Sequence, residues 1–146
     1  MQRSPSLTDV AFKLLNLVHR NVVHWSRGRV GGSAFGMHVV ELHTLGRRSG
    51  LARSTMLTAP VVDGDLVVLV ASKGGDDRDP DWYRNIVENP EIEMTMAGVR
   101  RPVRARSATP EEKAELWPRV VAAYKAYAGY QRRTTRDIAL VICEPR

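Results

Sequence analysis

At 146 residues, 43% hydrophobic and 26% charged, the chain is long enough to bury one core. A single cysteine excludes an internal disulfide, and no apolar run approaches the roughly 18 residues of a membrane span. The net charge of +6 is one-sided, with eight Lys/Arg against two Asp/Glu in residues 1–60 and fourteen of each in 61–146, which points to an anionic partner: cofactor phosphate, acidic lipid or nucleic acid.

Residues 1–5 read as a tail without a secretory leader pattern. From Leu7 to Trp25, apolar residues at 7, 10, 11, 14, 15, 18, 22 and 25 predict an amphipathic helix. Ser6 suits its N-cap, and Ser26-Arg27-Gly28 suits its stop. Lys13, Arg20, Arg27 and Arg29 make the helix and its exit basic, so residues 7–29 are expected either to pack on the domain or to lie on anionic lipid. The chain thus divides into a basic helix, 1–30, and a folded domain, 31–146.

Gly31-Gly32-Ser33 reads as a joint. Val39–Thr44 and Arg53–Val62 predict two strands, joined by Gly46-Arg47-Arg48-Ser49-Gly50-Leu51-Ala52-Arg53. Three arginines crowd that turn, and guanidinium forks suit phosphate and carboxylate; a solvated basic hairpin tip is the bland alternative. Asp63-Gly64 predicts a hairpin into Leu66–Val70, apolar throughout and so buried on both faces. Ala71-Ser72-Lys73-Gly74-Gly75 follows, a small-residue loop whose backbone could approach a ligand closely.

Asp79-Pro80 is expected to cap and open a short helix carrying Trp82-Tyr83-Arg84-Asn85 and ending before Asn89-Pro90. Glu91–Met96 alternates as a half-exposed strand, turning at Ala97-Gly98 into Val99–Ser107. Thr109-Pro110-Glu111-Glu112 is a capping box opening a helix to about Tyr124. Tyr124, Tyr127 and Tyr130 follow at three-residue spacing, and Ile138–Cys143 is a final buried strand in which Cys143 is a small packed hydrophobe. The hairpins require antiparallel pairing. The expected fold is therefore mixed α+β: a small barrel of about six mainly antiparallel strands with three helices.

His19, His24, His38 and His43 form no zinc-ligand spacing, so no metal site is expected. G-x-S-x-G, Walker A and G-x-G-x-x-G are all missing from the sequence. Only charge favours nucleic acid, and the basic residues are not interleaved with aromatics. What remains is a basic turn, a Gly/Ser/Lys loop and a Trp/Tyr-bearing helix. These suit a flat heterocycle with a phosphorylated tail, with Arg48 and Arg53 on the phosphate and the Ser72–Gly74 backbone facing the ring.

The same residues carry a specific resemblance. Thr44-Leu45-Gly46-Arg47-Arg48-Ser49-Gly50-Leu51-Ala52-Arg53, Ala71-Ser72-Lys73-Gly74-Gly75, Pro80-Asp81-Trp82-Tyr83-Arg84-Asn85 through Asn89-Pro90, and Tyr127-Ala128-Gly129-Tyr130-Gln131 with Val141-Ile142-Cys143-Glu144-Pro145 occur in the order of the deazaflavin-dependent nitroreductases of actinobacteria. From about Val39 to its end the chain is similar to that family. The resemblance implies a split β-barrel, related to flavin-binding reductases, that binds the 8-hydroxy-5-deazaflavin coenzyme F-420. It implies cofactor contacts from Arg47, Arg48, Arg53, Ser54, Met56, Leu57, Ser72, Lys73, Gly74, Trp82 and Asn85. Arg48 and Arg53 would hold the phosphate, with Ser72, Lys73 and Asn85 along the ring. Tyr127 and Tyr130 would wall the acceptor pocket and, with Ser72, supply hydrogen bonds to an acceptor oxygen.

The implied reaction is hydride transfer to a quinone, nitroaromatic or other electron-poor acceptor. A non-catalytic F-420 carrier and an FMN-binding reductase are the alternatives. Met56 and Thr58 stand where relatives often carry a proline and an aromatic, so the acceptor wall is smaller here. The implied setting is cytoplasmic, with room for contact at the inner face of the plasma membrane and for a homodimer.

Overall fold

The computed structural model describes residues 33–146. The helix expected over 7–25, the 1–30 segment with its lipid contact, and His19 and His24 lie outside the described residues. Eight strands and three helices are described: β1 (Ser33–Ala34), β2 (Met37–Leu45), β3 (Ala52–Ala59), β4 (Val61–Asp63), β5 (Leu66–Val70), α1 (Asp81–Glu88), β6 (Glu91–Met96), β7 (Val99–Ser107), α2 (Pro110–Ala123), α3 (Ala126–Arg132) and β8 (Leu140–Pro145). A 3-10 turn, Lys73–Gly75, lies between β5 and α1.

All strands pair antiparallel in one sheet of order β1-β2-β6-β7-β8-β5-β4, with β3 on the other edge of β2. The single strand expected over Arg53–Val62 is instead two, broken at Pro60. Proline has no N–H for a ladder, so the chain changes partners there. Before it β3 pairs with β2, and after it β4 pairs with β5. This corner curls the sheet into a half-open barrel of the split type that the resemblance implies, with eight strands where about six were expected.

Alternation along the strands sorts two cores. Val40, Leu42, Ala59, Val67, Leu69, Ile92, Met94, Val103, Ala105, Val141 and Cys143 fill the barrel, plugged by Trp82 and Ile86 of α1. Val61, Val68, Val70, Leu140 and Ile142 point the other way, under Val120 of α2 and Tyr127 of α3. β5 is therefore covered on both faces, which is why it reads as an unbroken apolar run. Burial pushes the Cys143 thiol up to about 12, so it is an inert packing group.

Three local readings change. Of the expected joint, Gly31 and Gly32 lie outside the described residues and Ser33 lies in strand β1, and the β1–β2 turn uses positive φ at Phe35 and Gly36. Pro80, not Asp79, is the N-cap of α1, and the Asp79 carboxylate instead accepts from Arg136 at 3.1 Å. The tyrosine-rich stretch forms a helix, α3, and the last strand starts at Leu140 rather than Ile138. The α2 capping box stands as expected: Thr109 Oγ1 accepts from the Glu112 amide at 3.2 Å, and Glu112 Oε1 accepts from the Thr109 amide at 2.9 Å.

Candidate functional site

The β2–β3 turn is built by glycine. The Gly46 amide donates to the Leu51 carbonyl and the Gly50 amide to the Gly46 carbonyl, both at 2.8 Å, with Gly50 at φ +68°. A Cβ on Gly46 would fall 2.6 Å from Ser49 Oγ, so a larger residue would displace that hydroxyl. The three arginines of the turn do different things. The Arg47 amide and Nη1 both donate to Asn85 Oδ1 at 3.1 Å, and Arg47 Nη2 lies 3.6 Å from the Asp81 carboxylate. Arg47 thus fastens the turn to α1. Arg48 and Arg53 are exposed and, among the described residues, join no ion pair. They present their guanidiniums outward.

Asn85, expected along the ring, is buried with its carbonyl oxygen committed to Arg47. Trp82 is 7% exposed and packs in the barrel core. Along β3, Ser54 and Met56 share one face, opposite His43 and Glu41 of β2, while Leu57 turns to the barrel core. On the same outer face the His43 Nε2 and Thr95 Oγ1 lie 2.8 Å apart, and His43 Nδ1 is 3.8 Å from the Glu41 carboxylate.

At the far end of β3 lies a second group. Thr58 Oγ1 is 2.9 Å from the Tyr127 hydroxyl, which also reaches Met37 Sδ at 3.8 Å. Tyr127 is buried; Tyr130 is partly exposed, with the Arg133 guanidinium 5.7 Å from its ring centre. Burial raises the pKa of both hydroxyls from the ordinary 10.0, and a hydrogen bond with Tyr124 adds to this for Tyr130. At neutral pH both are therefore protonated donors, not bases. The Ser72–Gly75 loop sits against α3: a Cβ on Gly75 would fall 2.8 Å from the Tyr130 carbonyl oxygen, and Arg133 Nη1 donates to the Gly74 carbonyl at 3.3 Å.

The sequence reading missed Arg136, which donates to the carbonyls of Ala71, Ser72 and Asp76 and to Asp79. No local pattern marks it. The Thr58 contact was legible only as a substitution in the strand. A shallow depression of about 360 Å³ is lined by Leu45, Glu88, Asn89, Pro90, Glu91 and Arg104, none of them an expected site residue. Among the described residues no group of three His, Cys, Asp or Glu could hold a metal ion.

The site is therefore elongated. Five residues of strand at about 3.3 Å each place Arg53 roughly 17 Å from Thr58 along β3. Exposed guanidiniums mark one end, and tyrosines with a glycine-rich loop mark the other. That donor set fits a flat ring joined through a spacer to an anionic group.

Comparison with known proteins accords with this geometry. The profile of a family described as F-420H(2)-dependent quinone reductase matches residues 17–145. An F-420H(2)-dependent quinone reductase of Mycobacterium tuberculosis (strain ATCC 25618 / H37Rv) is 37% identical over 142 residues, covering 94% of this chain and 93% of that protein. Among solved structures, an F-420-H2 dependent reductase is 36% identical with a TM-score of 0.66, over 73% of this chain and 93% of its own. A domain-swapped dimer is 33% identical with a TM-score of 0.66, over 86% and 98%.

Proposed function

Because this chain belongs to the F-420H(2)-dependent quinone reductase family, we propose that it is an oxidoreductase that uses coenzyme F-420 and reduces a quinone. The observation that carries the reading is the pair of outward guanidiniums, Arg48 and Arg53, at one end of a strand whose other end meets the tyrosines and the Ser72–Gly74 loop. Arg48 and Arg53 hold the coenzyme's phosphate by charge-assisted bonds. Arg47 and Asn85 keep the turn in place at the edge of the coenzyme site. Ser54 and Met56 border the coenzyme from β3, while Leu57 and Trp82 support it from the core. Ser72, Lys73 and Gly74 lie beside the ring.

When bound, the reduced deazaflavin supplies the hydride, so the chain's own task is to bind, orient and exclude water. Tyr130, the more exposed hydroxyl, donates toward the acceptor oxygen where negative charge develops, and Tyr127 is fixed behind it by Thr58.

Fluorescence titration of the purified protein with F-420 and, separately, with FMN is the first test. Saturable binding of F-420 and none of FMN is expected, followed by F-420H2 oxidation with a quinone panel that includes nitroaromatics for comparison. FMN binding alone would make the barrel a flavin reductase, and F-420 binding without turnover would make it a carrier. The domain-swapped relative supports a homodimer, which sedimentation would read directly. No helix among the described residues is long and apolar enough to cross a membrane. Contact of residues 7–29 with lipid is a separate proposal, tested by vesicle flotation with and without residues 1–30.

A further inference from the structure

Lys73, Gly74 and Gly75 take φ of 45°, 63° and 86°, three consecutive residues in the left-handed region. Lysine adopts that region only when something holds it there. Arg136 braces it from both flanks, beside the turn's own bonds from the Gly75 amide to the Ser72 carbonyl and from the Asp76 amide to the Lys73 carbonyl. Its Nε donates to the Asp76 carbonyl at 2.8 Å and its Nη2 to the Ser72 carbonyl at 2.9 Å. Its Nη1 donates to the Ala71 carbonyl and to Asp79 Oδ1, both at 3.1 Å. The side chain is only 14% exposed, and the Asp79 carboxylate balances a cation that is largely out of water. A single planar fork thus collects three carbonyls and one carboxylate from both ends of a nine-residue loop.

We propose that Arg136 is a positioning residue for the coenzyme, which sets the Ser72–Gly74 backbone in the form that receives the deazaflavin ring. The inference rests on the reading that F-420 lies against this loop. In a trans peptide the C=O and the following N–H point opposite ways. Turning the Ala71 and Ser72 carbonyls onto Arg136 therefore directs the Ser72 and Lys73 amides away from it, as donors to ring oxygens. The loop is also seated on α3, where the Tyr130 carbonyl leaves no space for a Cβ on Gly75. Arg136 consequently fixes the ring's bed relative to Tyr130. Lysine cannot replace it, because one ammonium nitrogen cannot reach carbonyls on both sides of the fork.

The test uses the full chain, wild type and Arg136→Lys, with two readouts: the F-420 dissociation constant by fluorescence, and backbone amide exchange with and without F-420. Arg136→Lys is expected to raise the dissociation constant at least tenfold. In the coenzyme-free protein it should speed exchange of the 73–76 amides by a similar factor and leave β2, β5 and β8 unchanged. Wild-type affinity and wild-type loop exchange in the variant would overturn the proposal. So would acceleration spread evenly through the barrel, which marks a general structural role. In the wild type, adding F-420 should protect the 72–74 amides. Without that protection the coenzyme lies elsewhere and the underlying reading fails; with it, an unaffected variant sinks only the positioning role. Asp79→Asn, which removes the counter-charge but leaves the three carbonyls, is expected to fall between the two, and an effect larger than that of Arg136→Lys would overturn the carbonyl-based account.

Discussion

The 46–53 turn and the 71–79 loop look alike as sequence: each is glycine-bearing, each follows a strand, and each is served by arginines. They differ in where the guanidiniums go. At the loop, Arg136 is consumed by three carbonyls and a carboxylate. Elsewhere Arg106 is shared between Glu112 and Glu144, and Arg146 caps the carbonyls of Ile92 and Val103. At the turn, Arg47 is spent on α1 while Arg48 and Arg53 are left facing solvent. The charge a fold can offer an anion is what its own carbonyls and carboxylates have not already taken. An exposed guanidinium also pays little desolvation to wait for a ligand.

Four substitutions press on this division, beginning with the largest effect. Trp82, expected at the coenzyme, is buried in the core, so Trp82→Ala should cost about 3–5 kcal/mol of stability by chemical denaturation. Full stability with lost coenzyme affinity would make Trp82 a direct contact of the coenzyme rather than its support from the core. Arg48→Ala or Arg53→Ala should weaken F-420 binding by about 1.5–3 kcal/mol, the range for a hydrogen bond to a charged group, with the melting temperature unmoved. Equal affinity in the titration would place the phosphate elsewhere and erase the contrast between the two regions. Arg47→Ala should behave oppositely. It strips the Nη1 donor from the buried Asn85 oxygen, leaving the backbone amide, and should cost about 0.5–1.5 kcal/mol of stability, with a smaller loss of affinity through a looser turn.

Strand periodicity made most of the barrel legible: β6 and β7 begin and end where alternation said, and the doubly apolar run became the doubly covered β5. Pro60 was visible but its consequence was not, because a proline between two β-runs does not say which neighbour each half will find. At the site, local spacing located the turn, the loop and the tyrosines. It could not tell Arg47 from Arg48, since that depends on Asn85, 38 residues away. It could not see Arg136 either, whose partners lie 57–65 residues earlier. Long-range hydrogen bonding decides which polar residues are structural, and a single sequence does not print it.

The smallest expected effect tests the committed side of the contrast. Arg106 donates to both Glu112 oxygens, at 2.7 and 2.9 Å, joining β7 to the first turn of α2. These bonds, followed by the one from the Thr109 amide, hold the Glu112 carboxyl down to about 2 from an ordinary 4.5. A folded pKa below the unfolded one adds stability that is complete above about 4.5 and lost as pH falls through about 2. Glu112→Gln keeps a side-chain oxygen for the Thr109 amide but loses the charge. Wild type should therefore melt higher than the variant at pH 6, by a margin that shrinks below pH 4.5 and closes near pH 2. Because Glu112 is solvent-accessible, the margin at its widest should be less than that of Arg47→Ala. A gap that ignores pH would mean that Arg106 contributes packing rather than charge, and that being paired is not what separates it from Arg48 and Arg53.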